Sequence, residues 1–222
     1  MDCHKAFLFT CEHASRRLPK NITPPHLDEH MFYDIGAYSY ARILATRMNS
    51  PLIAGKWSRL LVDLNRSPHH PKLSYLFPHN KKMLIERYYM PFRMKTYQTI
   101  CDLLHSYTQV IHISCHSFTP IFHGQQRDFD IGLLYDPSRK EEQHHAHIMS
   151  LHLPPLRVRY NAPYKGTADG HVTHLRKQFS PHEYIGLELE VNQENFTTAK
   201  SQFWQYVGID RIIRSLLVLH EV

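Results

Sequence analysis

The sequence contains no apolar run long enough to cross a membrane, which takes about 18 residues. The chain also opens without the pattern of a secretory signal peptide, because the short apolar run after Lys5 ends in a segment that carries Glu12 and Arg16. These two absences predict a cytoplasmic protein with no membrane partner.

Cysteine is scarce and shows no pattern. The 4 cysteines, Cys3, Cys11, Cys101 and Cys115, form no CxxC pair and follow no regular spacing. We therefore expect reduced thiols rather than a disulfide framework. A chain of 222 residues can bury roughly 70% of its unfolded surface, so its core needs no covalent staples.

No nucleic-acid-binding motif and no clustered basic stretch is present. The 26 lysines and arginines exceed the 20 aspartates and glutamates by 6, but they are scattered along the chain. This distribution predicts no nucleic-acid partner and suits a small anionic substrate. The sequence indicates no oligomeric state.

Histidine, in contrast, is abundant, with 19 residues. Many of them lie in polar stretches such as residues 68–71 and 144–147, which we interpret as surface. A catalytic metal needs ligands that the structure fixes in place. Only histidines at the ends of strands are therefore candidate ligands.

The chain shows no internal repeat and no linker, which predicts a single domain over residues 1–222. Apolar, β-rich runs predict strands at residues 6–10, 51–54, 110–113, 131–135, 157–160 and 184–191. Helical patterns predict helices from residue 30 or 34 to 48, and at 81–106, 138–151 and 203–219. This alternation predicts an α/β sandwich.

Polar residues follow several of the apolar runs. The run from Gln109 stops at His116-Ser117, and Glu12-His13 follows the first run. The run 60–64, which we also interpret as a strand, is followed by Asn65-Arg66. Glu190 lies near the end of the last strand. Open α/β sheets place ligands at the carboxyl ends of their strands. Two histidines, carboxylates and arginines at this edge are the parts of a zinc amidohydrolase.

Six segments carry a resemblance to a known family. They are TCEHASRRLP (10–19), HMFYDIGA (30–37), SRLLVDLNR (58–66), HISCHSFTP (112–120), NAPY (161–164) and LELEVNQ (187–193). At these residues the chain resembles the N-formylglutamate amidohydrolase (N-formylglutamate deformylase) family. VDLNR and the strand that ends in HS are also similar to zinc carboxypeptidases and aspartoacylase-type enzymes. The resemblance implies a three-layer α/β/α sandwich with a mixed central sheet, a zinc-carboxypeptidase-like (phosphorylase/hydrolase-like) fold.

The resemblance also implies one zinc ion, with His13 and His116 as ligands. Related enzymes supply a glutamate three positions after the earlier histidine, where this chain has Arg16. The third ligand is then Asp34, which matches an aspartate of more divergent deformylases, or Glu12. Asp34 could instead cap the start of a helix.

Further roles follow from the same resemblance. Glu190 matches the glutamate that activates water and protonates the leaving amine, although Glu188 lies on the same face. Arg59 matches the arginine that polarises the scissile carbonyl. The residues expected to bind substrate are Asn65, Arg66, Arg127 and Tyr164.

The sequence therefore predicts a zinc-dependent amidohydrolase that cleaves the amide of an N-formyl or N-acyl amino acid, such as N-formylglutamate. One alternative is a catalytically altered member that binds a ligand or partner, since Arg16 and Asn192 depart from the family pattern. Another is a cysteine hydrolase that uses Cys11 or Cys115. Adjacent strand residues point to opposite sides, which argues against pairing Cys115 with His116.

Overall fold

The computed structural model describes residues 4–221, and a six-stranded sheet lies at its centre. The strands are β1 (Lys5–Cys11), β2 (Leu52–Ala54), β3 (Gln109–Phe118), β4 (Ile121–Phe122), β5 (Gln125–Gln126), β6 (Ile131–Leu134), β7 (Val158–Tyr160) and β8 (Tyr184–Asn192). The order in the central sheet is β2-β1-β3-β8-β6-β7, while β4 and β5 form a separate antiparallel hairpin.

The central sheet is mixed. β2, β1, β3 and β8 run parallel to one another. β6 runs antiparallel to β8, and β7 runs parallel to β6. The carboxyl ends of β1, β3 and β8 consequently meet at one edge of the sheet, which is where a ligand site is expected.

Helices cover both faces of the sheet. They are α1 (Ala37–Arg47), α2 (Lys81–Leu84), α3 (Met90–Leu104), α4 (Lys140–Leu151), α5 (His171–Leu175), α6 (Glu194–Thr197), α7 (Lys200–Phe203) and α8 (Ile209–Glu221). A 3₁₀ turn (Glu29–Met31) and two π-helical segments (Ile85–Tyr89 and Trp204–Gly208) complete the helical elements. Helices α1, α4 and α8 pack together on one face, and α3 and α5 contact strands from the other. The predicted α/β/α class is confirmed.

The two faces of the sheet differ in chemistry. Phe7, Ile113 and Leu187 belong to the larger core, beneath α1, α4 and α8. The opposite face begins with an apolar cluster that includes Leu8 and Val110. Towards the carboxyl edge this face carries buried polar side chains instead: Thr10, Glu12, His112, Ser114, His116, Glu188 and Glu190. A buried polar stripe of this kind must be satisfied by hydrogen bonds or by a ligand.

Three local predictions differ from the structure. β3 continues through His116 to Phe118, because its polar residues alternate with apolar ones that enter the larger core. The run 60–64 is buried but forms turns rather than a strand. Helix α1 begins at Ala37, after Gly36. Gly36 has a φ of 79°, and an added Cβ would overlap the Phe196 ring, so this start requires glycine.

Within residues 4–221, no helix combines the length and the apolar character that spanning a membrane requires. Cys11, Cys101 and Cys115 are free thiols. Cys3 lies outside the described residues.

The interpretation of residues 144–147 as surface is wrong for His145, which is buried on α4. This histidine should make the folded protein sensitive to acid. His145 is 5% exposed, its Nδ1 lies 2.7 Å from the Glu141 carbonyl oxygen, and its Nε2 has no hydrogen-bond partner among the described residues. Burial lowers the pKa of His145 to about 4, whereas an unfolded histidine titrates near 6.5. Between these values the unfolded state binds more protons, so stability falls as the pH falls.

We expect this residue to lower the free energy of unfolding by about 1–2 kcal/mol between pH 7.5 and pH 5. Urea unfolding of the wild type and of His145→Asn at both pH values measures the effect. Asparagine keeps a donor for the Glu141 carbonyl but does not titrate. Equal losses of stability in the two proteins would contradict the expectation.

Candidate active site

A cavity of about 150 Å³ opens at the carboxyl edge of the sheet. Eight of the nine predicted site residues line it: His13, Asp34, Arg59, Asn65, Arg66, His116, Tyr164 and Glu190. The ninth, Arg127, is not among its lining residues. The structure therefore brings together segments that lie far apart in the sequence.

Three buried side chains converge in this cavity. His13 follows β1, Asp34 precedes α1, and His116 lies near the end of β3. The Nδ1 atoms of both imidazoles face Oδ2 of Asp34, at 3.3 Å from His13 and 2.8 Å from His116. One potential ligand atom of each residue lies within 4.8 Å of the others. Two imidazole nitrogens and a carboxylate oxygen suit zinc, so this cluster could hold a metal ion.

Each histidine is also held from its other side. Nε2 of His13 lies 2.7 Å from Oδ1 of Asp63. Nε2 of His116 lies 3.0 Å from Ser114 Oγ and 3.4 Å from Oε2 of Glu12. With Nδ1 available for a metal, Nε2 would carry the hydrogen and donate it to these oxygens. Carboxylates in this position orient metal-binding histidines and fix their tautomers, so the residues present fit a metal ion.

Glu12 occupies a supporting position behind His116. Its carboxylate accepts hydrogen bonds of 2.8 Å from Thr10 Oγ1 and Ser114 Oγ, and His171 Nδ1 lies at the same distance. These partners hold its two oxygens in the polar stripe. Of the two carboxylates predicted as third ligand, Asp34 is the one that faces the Nδ1 atoms of both histidines.

The carboxylates make the cluster favour positive charge. Burial alone would lower the pKa of His116, but its hydrogen bonds with Asp34 and Glu12 raise it well above the ordinary value. Burial alone would raise the pKa of the Asp34 carboxyl, but His13 and His116 hold it well below its usual range. Because the carboxylates favour positive charge on the histidines, the cluster also suits a metal cation. Such a cation would compete with protons for the two imidazoles.

Glu190 lies directly beside His116 in the register of β3 and β8. It is 4% exposed, and no group of residues 4–221 forms a hydrogen bond with its Oε2. Burial raises the pKa of its carboxyl to about 8 despite the nearby His116. Glu188 differs, because its Oε2 accepts a hydrogen bond of 3.4 Å from Asn65 Nδ2. Of the two, Glu190 has the oxygen better placed to accept a proton.

Arg59 is held at the cavity wall by two carboxylates. Its Nη1 donates to Oδ1 of Asp34 at 3.3 Å, and its Nη2 donates to Oδ2 of Asp63 at 3.1 Å. Asp63 therefore joins Arg59 to His13. The guanidinium is fixed beside the histidine cluster, where a positive charge can stabilise a developing oxyanion.

Asn65 and Arg66 follow in the same loop. Asn65 Oδ1 accepts a hydrogen bond of 2.6 Å from the backbone amide of His171, so this side chain braces the neighbouring segment. Arg66 donates to the carbonyl oxygen of Asp169 at 3.2 Å, and its side chain remains 34% exposed. Arg66 is thus the member of the pair with capacity left for an anionic ligand.

Tyr164 and Arg127 form part of an aromatic wall at the rim. The guanidinium carbon of Arg127 lies 5.6 Å from the Tyr164 ring centre and 4.7 Å from that of Phe122. Its Nη1 donates to the carbonyl oxygen of Thr119 at 3.2 Å. Arg127 therefore lies against the rings that form the rim.

Sequence reasoning missed the segment after NAPY. Lys165 and Asp169 line the cavity, and Asp169 accepts a hydrogen bond of 2.9 Å from the backbone amide of Ser67. His171 contacts both Glu12 and Asn65. The sequence signal that could have identified these residues is the polar loop that directly follows the NAPY segment.

The residues on which the alternative functions depend are not members of the cluster formed by His13, Asp34 and His116. Cys11 and Cys115 are buried in the larger core, and burial raises the pKa of both thiols, which disfavours a nucleophilic thiolate. The Arg16 side chain is 75% exposed and pairs with Glu29. Asn192 donates to two backbone carbonyl oxygens, those of Arg127 and Phe129.

The model of the N-formylglutamate amidohydrolase family matches residues 5–197 of the chain. The chain belongs to the N-formylglutamate amidohydrolase family. The resemblance in the six sequence segments is thereby confirmed, and this family consists of amide-cleaving hydrolases. A search of the curated proteins finds no match.

Two solved structures support the family's fold for this chain. The gene product Atu2144 from Agrobacterium tumefaciens is 24% identical, with a TM-score of 0.77 over 96% of this chain and 91% of the other. The N-formylglutamate amidohydrolase from Ralstonia eutropha JMP134 is 15% identical, with a TM-score of 0.68 over 99% of this chain and 92% of the other. At these identities the likeness concerns the fold.

Proposed function

We propose that this protein is a zinc-dependent amidohydrolase that cleaves the amide bond of a small, anionic N-acyl amino acid such as N-formylglutamate. The observation that carries the proposal is the convergence of His13, Asp34 and His116 on one point, with Glu190 in the same cavity. Family membership supplies the reaction class.

His13, Asp34 and His116 would hold one zinc ion. A zinc ion with three protein ligands polarises a carbonyl and lowers the pKa of a bound water towards neutrality. Asp63 and Glu12 would keep the two imidazoles in the tautomer that presents Nδ1.

The remaining steps belong to side chains around the cluster. Glu190 would take a proton from the attacking water at Oε2 and later donate it to the leaving amine. Its pKa of about 8 suits both transfers near neutral pH. Arg59 would stabilise the oxyanion that develops on the scissile carbonyl, because its guanidinium is already fixed at the cavity wall.

The substrate carboxylate would bind beside Arg66 in the cavity lining. Arg66 retains exposed donors there, and Lys165 adds a second positive charge to the lining. A planar guanidinium matches a carboxylate with two parallel hydrogen bonds. Asn65 would position this part of the cavity by bracing His171.

A direct test follows N-formyl-L-glutamate and N-acetyl-L-glutamate by release of free glutamate. We expect turnover with zinc-loaded protein, loss of turnover after treatment with a chelator, and recovery when zinc is returned. Metal content is measured on the same samples. Stoichiometric binding of these compounds without turnover by the zinc-loaded protein would favour the alternative of a ligand-binding family member. Activity that survives metal removal but not thiol alkylation would favour a cysteine hydrolase.

A further inference from the structure

A separate hollow of about 760 Å³ lies beside β2, the edge strand of the central sheet. All three residues of β2 line it, together with Val62 and Leu64 from the buried segment 60–64. Among residues 4–221, none lines both this hollow and the metal-site cavity. The hollow is therefore a second concave surface, distinct from the candidate active site, and we refer to it as the β2 hollow.

Every charged side chain that lines the β2 hollow is positive. The four cations are exposed and come from separate segments of the chain: Lys20, Lys56, Arg87 and Lys95. No acidic residue lines the hollow, and within residues 4–221 no salt bridge joins any of the four to a carboxylate. A concave surface with charges of one sign and low-dielectric walls concentrates counter-ions. The fold thus gathers scattered basic residues around one place that favours an anion.

All other lining residues of the β2 hollow are apolar or aromatic. Trp57 and Tyr88 form an edge-to-face pair, with ring centres 5.7 Å apart and an interplanar angle of 72°. A guanidinium carbon lies 5.6 Å from the centre of each ring, that of Arg17 at Trp57 and that of Arg87 at Tyr88. These contacts hold the two rings before any ligand binds, which lowers the entropy lost on binding.

One wall of the β2 hollow is built on a π-helical segment. This segment, Ile85–Tyr89, lies between α2 and α3 and supplies Arg87 and Tyr88 to the lining. Phe92 and Lys95 of α3 continue the same wall. Single π-helical turns within longer helices occur frequently at functional sites. The local helix geometry is therefore consistent with a binding role for this wall.

The size of the hollow and the form of its edge favour a small molecule over a peptide strand. Small-molecule pockets usually measure about 300–1,000 Å³ and combine mostly apolar walls with a few polar groups. An extended peptide could instead pair with the outer edge of β2. However, β2 has only three residues and lies between Pro51 and Lys56. Short edge strands, proline and lysine are the means by which proteins prevent such pairing.

We propose that the β2 hollow binds a small aromatic anion. Its ring system would pack against Trp57 and Tyr88, and its acidic group would lie among the four cations. Carboxylates and phosphates share the chemistry that lysine and arginine recognise. This site does not depend on the proposed catalytic function, because its lining is separate from that of the metal-site cavity.

Calorimetry at low salt with three probes tests the proposal. The probes are 2-naphthoate, 2-naphthyl phosphate and 2-naphthamide, which share one ring system and differ in charge. We expect both anions to bind, and the neutral amide to bind at least about tenfold more weakly, the effect of about one charge-assisted hydrogen bond. The tighter of the two anions identifies a carboxylate or a phosphate as the preferred acidic group. No binding, or equal affinity for all three probes, would overturn the proposal.

Variants locate the bound probe. The double variant Lys56→Ala/Lys95→Ala should weaken binding of the preferred anion by about tenfold or more. Both lysines are exposed, so thermal stability should not change. Lys177→Ala is the matched control, since Lys177 is an exposed lysine outside the hollow. Arg66→Ala reports binding at the metal-site cavity instead. Loss of binding in Arg66→Ala, with the double variant unaffected, would overturn the assignment.

Two further measurements test other occupants of the hollow. Sedimentation over a range of concentrations detects self-association, and calorimetry with a hexaglutamate peptide detects binding of an acidic chain. A dimer that Trp57→Ala dissociates would place a second copy of the protein at the hollow. Tighter binding of hexaglutamate than of either naphthyl anion would place an acidic chain there. Either result would overturn the proposal of a small aromatic anion.

Discussion

Replacement of Glu190 by glutamine is expected to lower kcat by about 10²–10⁴-fold, the usual contribution of a positioned general base. Glutamine keeps the size of the side chain and its place in β8 but cannot accept a proton at neutral pH. The Glu190 carboxyl is buried, and its Oε2 has no hydrogen-bond partner within residues 4–221. The substitution therefore breaks no hydrogen bond of that oxygen. Zinc content and thermal stability should remain close to those of the wild type.

Glu188→Gln is the matched comparison for this variant. Glu188 lies two residues earlier on the same strand and also lines the cavity. Its Oε2 accepts a hydrogen bond from Asn65, which a glutamine oxygen can also accept. We expect a loss of less than about tenfold in kcat, well below that of a general base. Full activity in Glu190→Gln, or the larger loss in Glu188→Gln, would overturn the assignment of the base.

Substitution of Asp34 should produce the largest loss of metal affinity. Its Oδ2 is the oxygen that both histidine Nδ1 atoms face. Asp34→Ala would remove one of the three side chains proposed to hold zinc and leave two imidazoles, too few for a zinc site of either the structural or the catalytic kind. We expect substoichiometric zinc after dialysis, measured by elemental analysis, and no detectable turnover.

Glu12→Gln provides the comparison that distinguishes a ligand from a supporting residue. Glutamine retains one oxygen for Ser114 or His171 but loses the charge behind His116. Loss of an outer partner typically weakens metal binding by about 10–100-fold. A competition titration with a chromogenic chelator measures both variants on one scale. If Glu12→Gln lost zinc completely and Asp34→Ala kept it, the ligand set would be wrong.

The central strands of the fold, and two of the three residues that could hold a metal ion, could be predicted from local sequence patterns. Short apolar runs that stop at polar residues identify His13 and His116 as residues of one sheet edge. The alternation in residues 184–191 places Glu188 and Glu190 on one face, as the structure has them. These predictions succeed because a strand's periodicity is encoded within a few residues.

Other parts of the site depend on contacts between distant segments. The run 60–64 is apolar because it is buried, but burial alone does not specify a strand, and the chain forms turns there that place Asp63 beside His13. Asp34 could be predicted as a helix cap or a ligand, and the position of Gly36 decides against the cap. The partners of Glu12 come from β3 and α5, which no local pattern connects.

The pairing of β8 with β3 has a consequence for how activity arises during folding. Leu187, Leu189 and Val191 alternate with Glu188 and Glu190, and His116 stands opposite Glu190. A slip of one residue between these strands would carry a leucine or valine to the cavity and drive Glu190 into the apolar layer beneath α1 and α8. Misaligned chains would then lack both a stable core and a proton acceptor. The burial of apolar side chains that selects the correct register of β3 and β8 therefore also places Glu190 in the cavity.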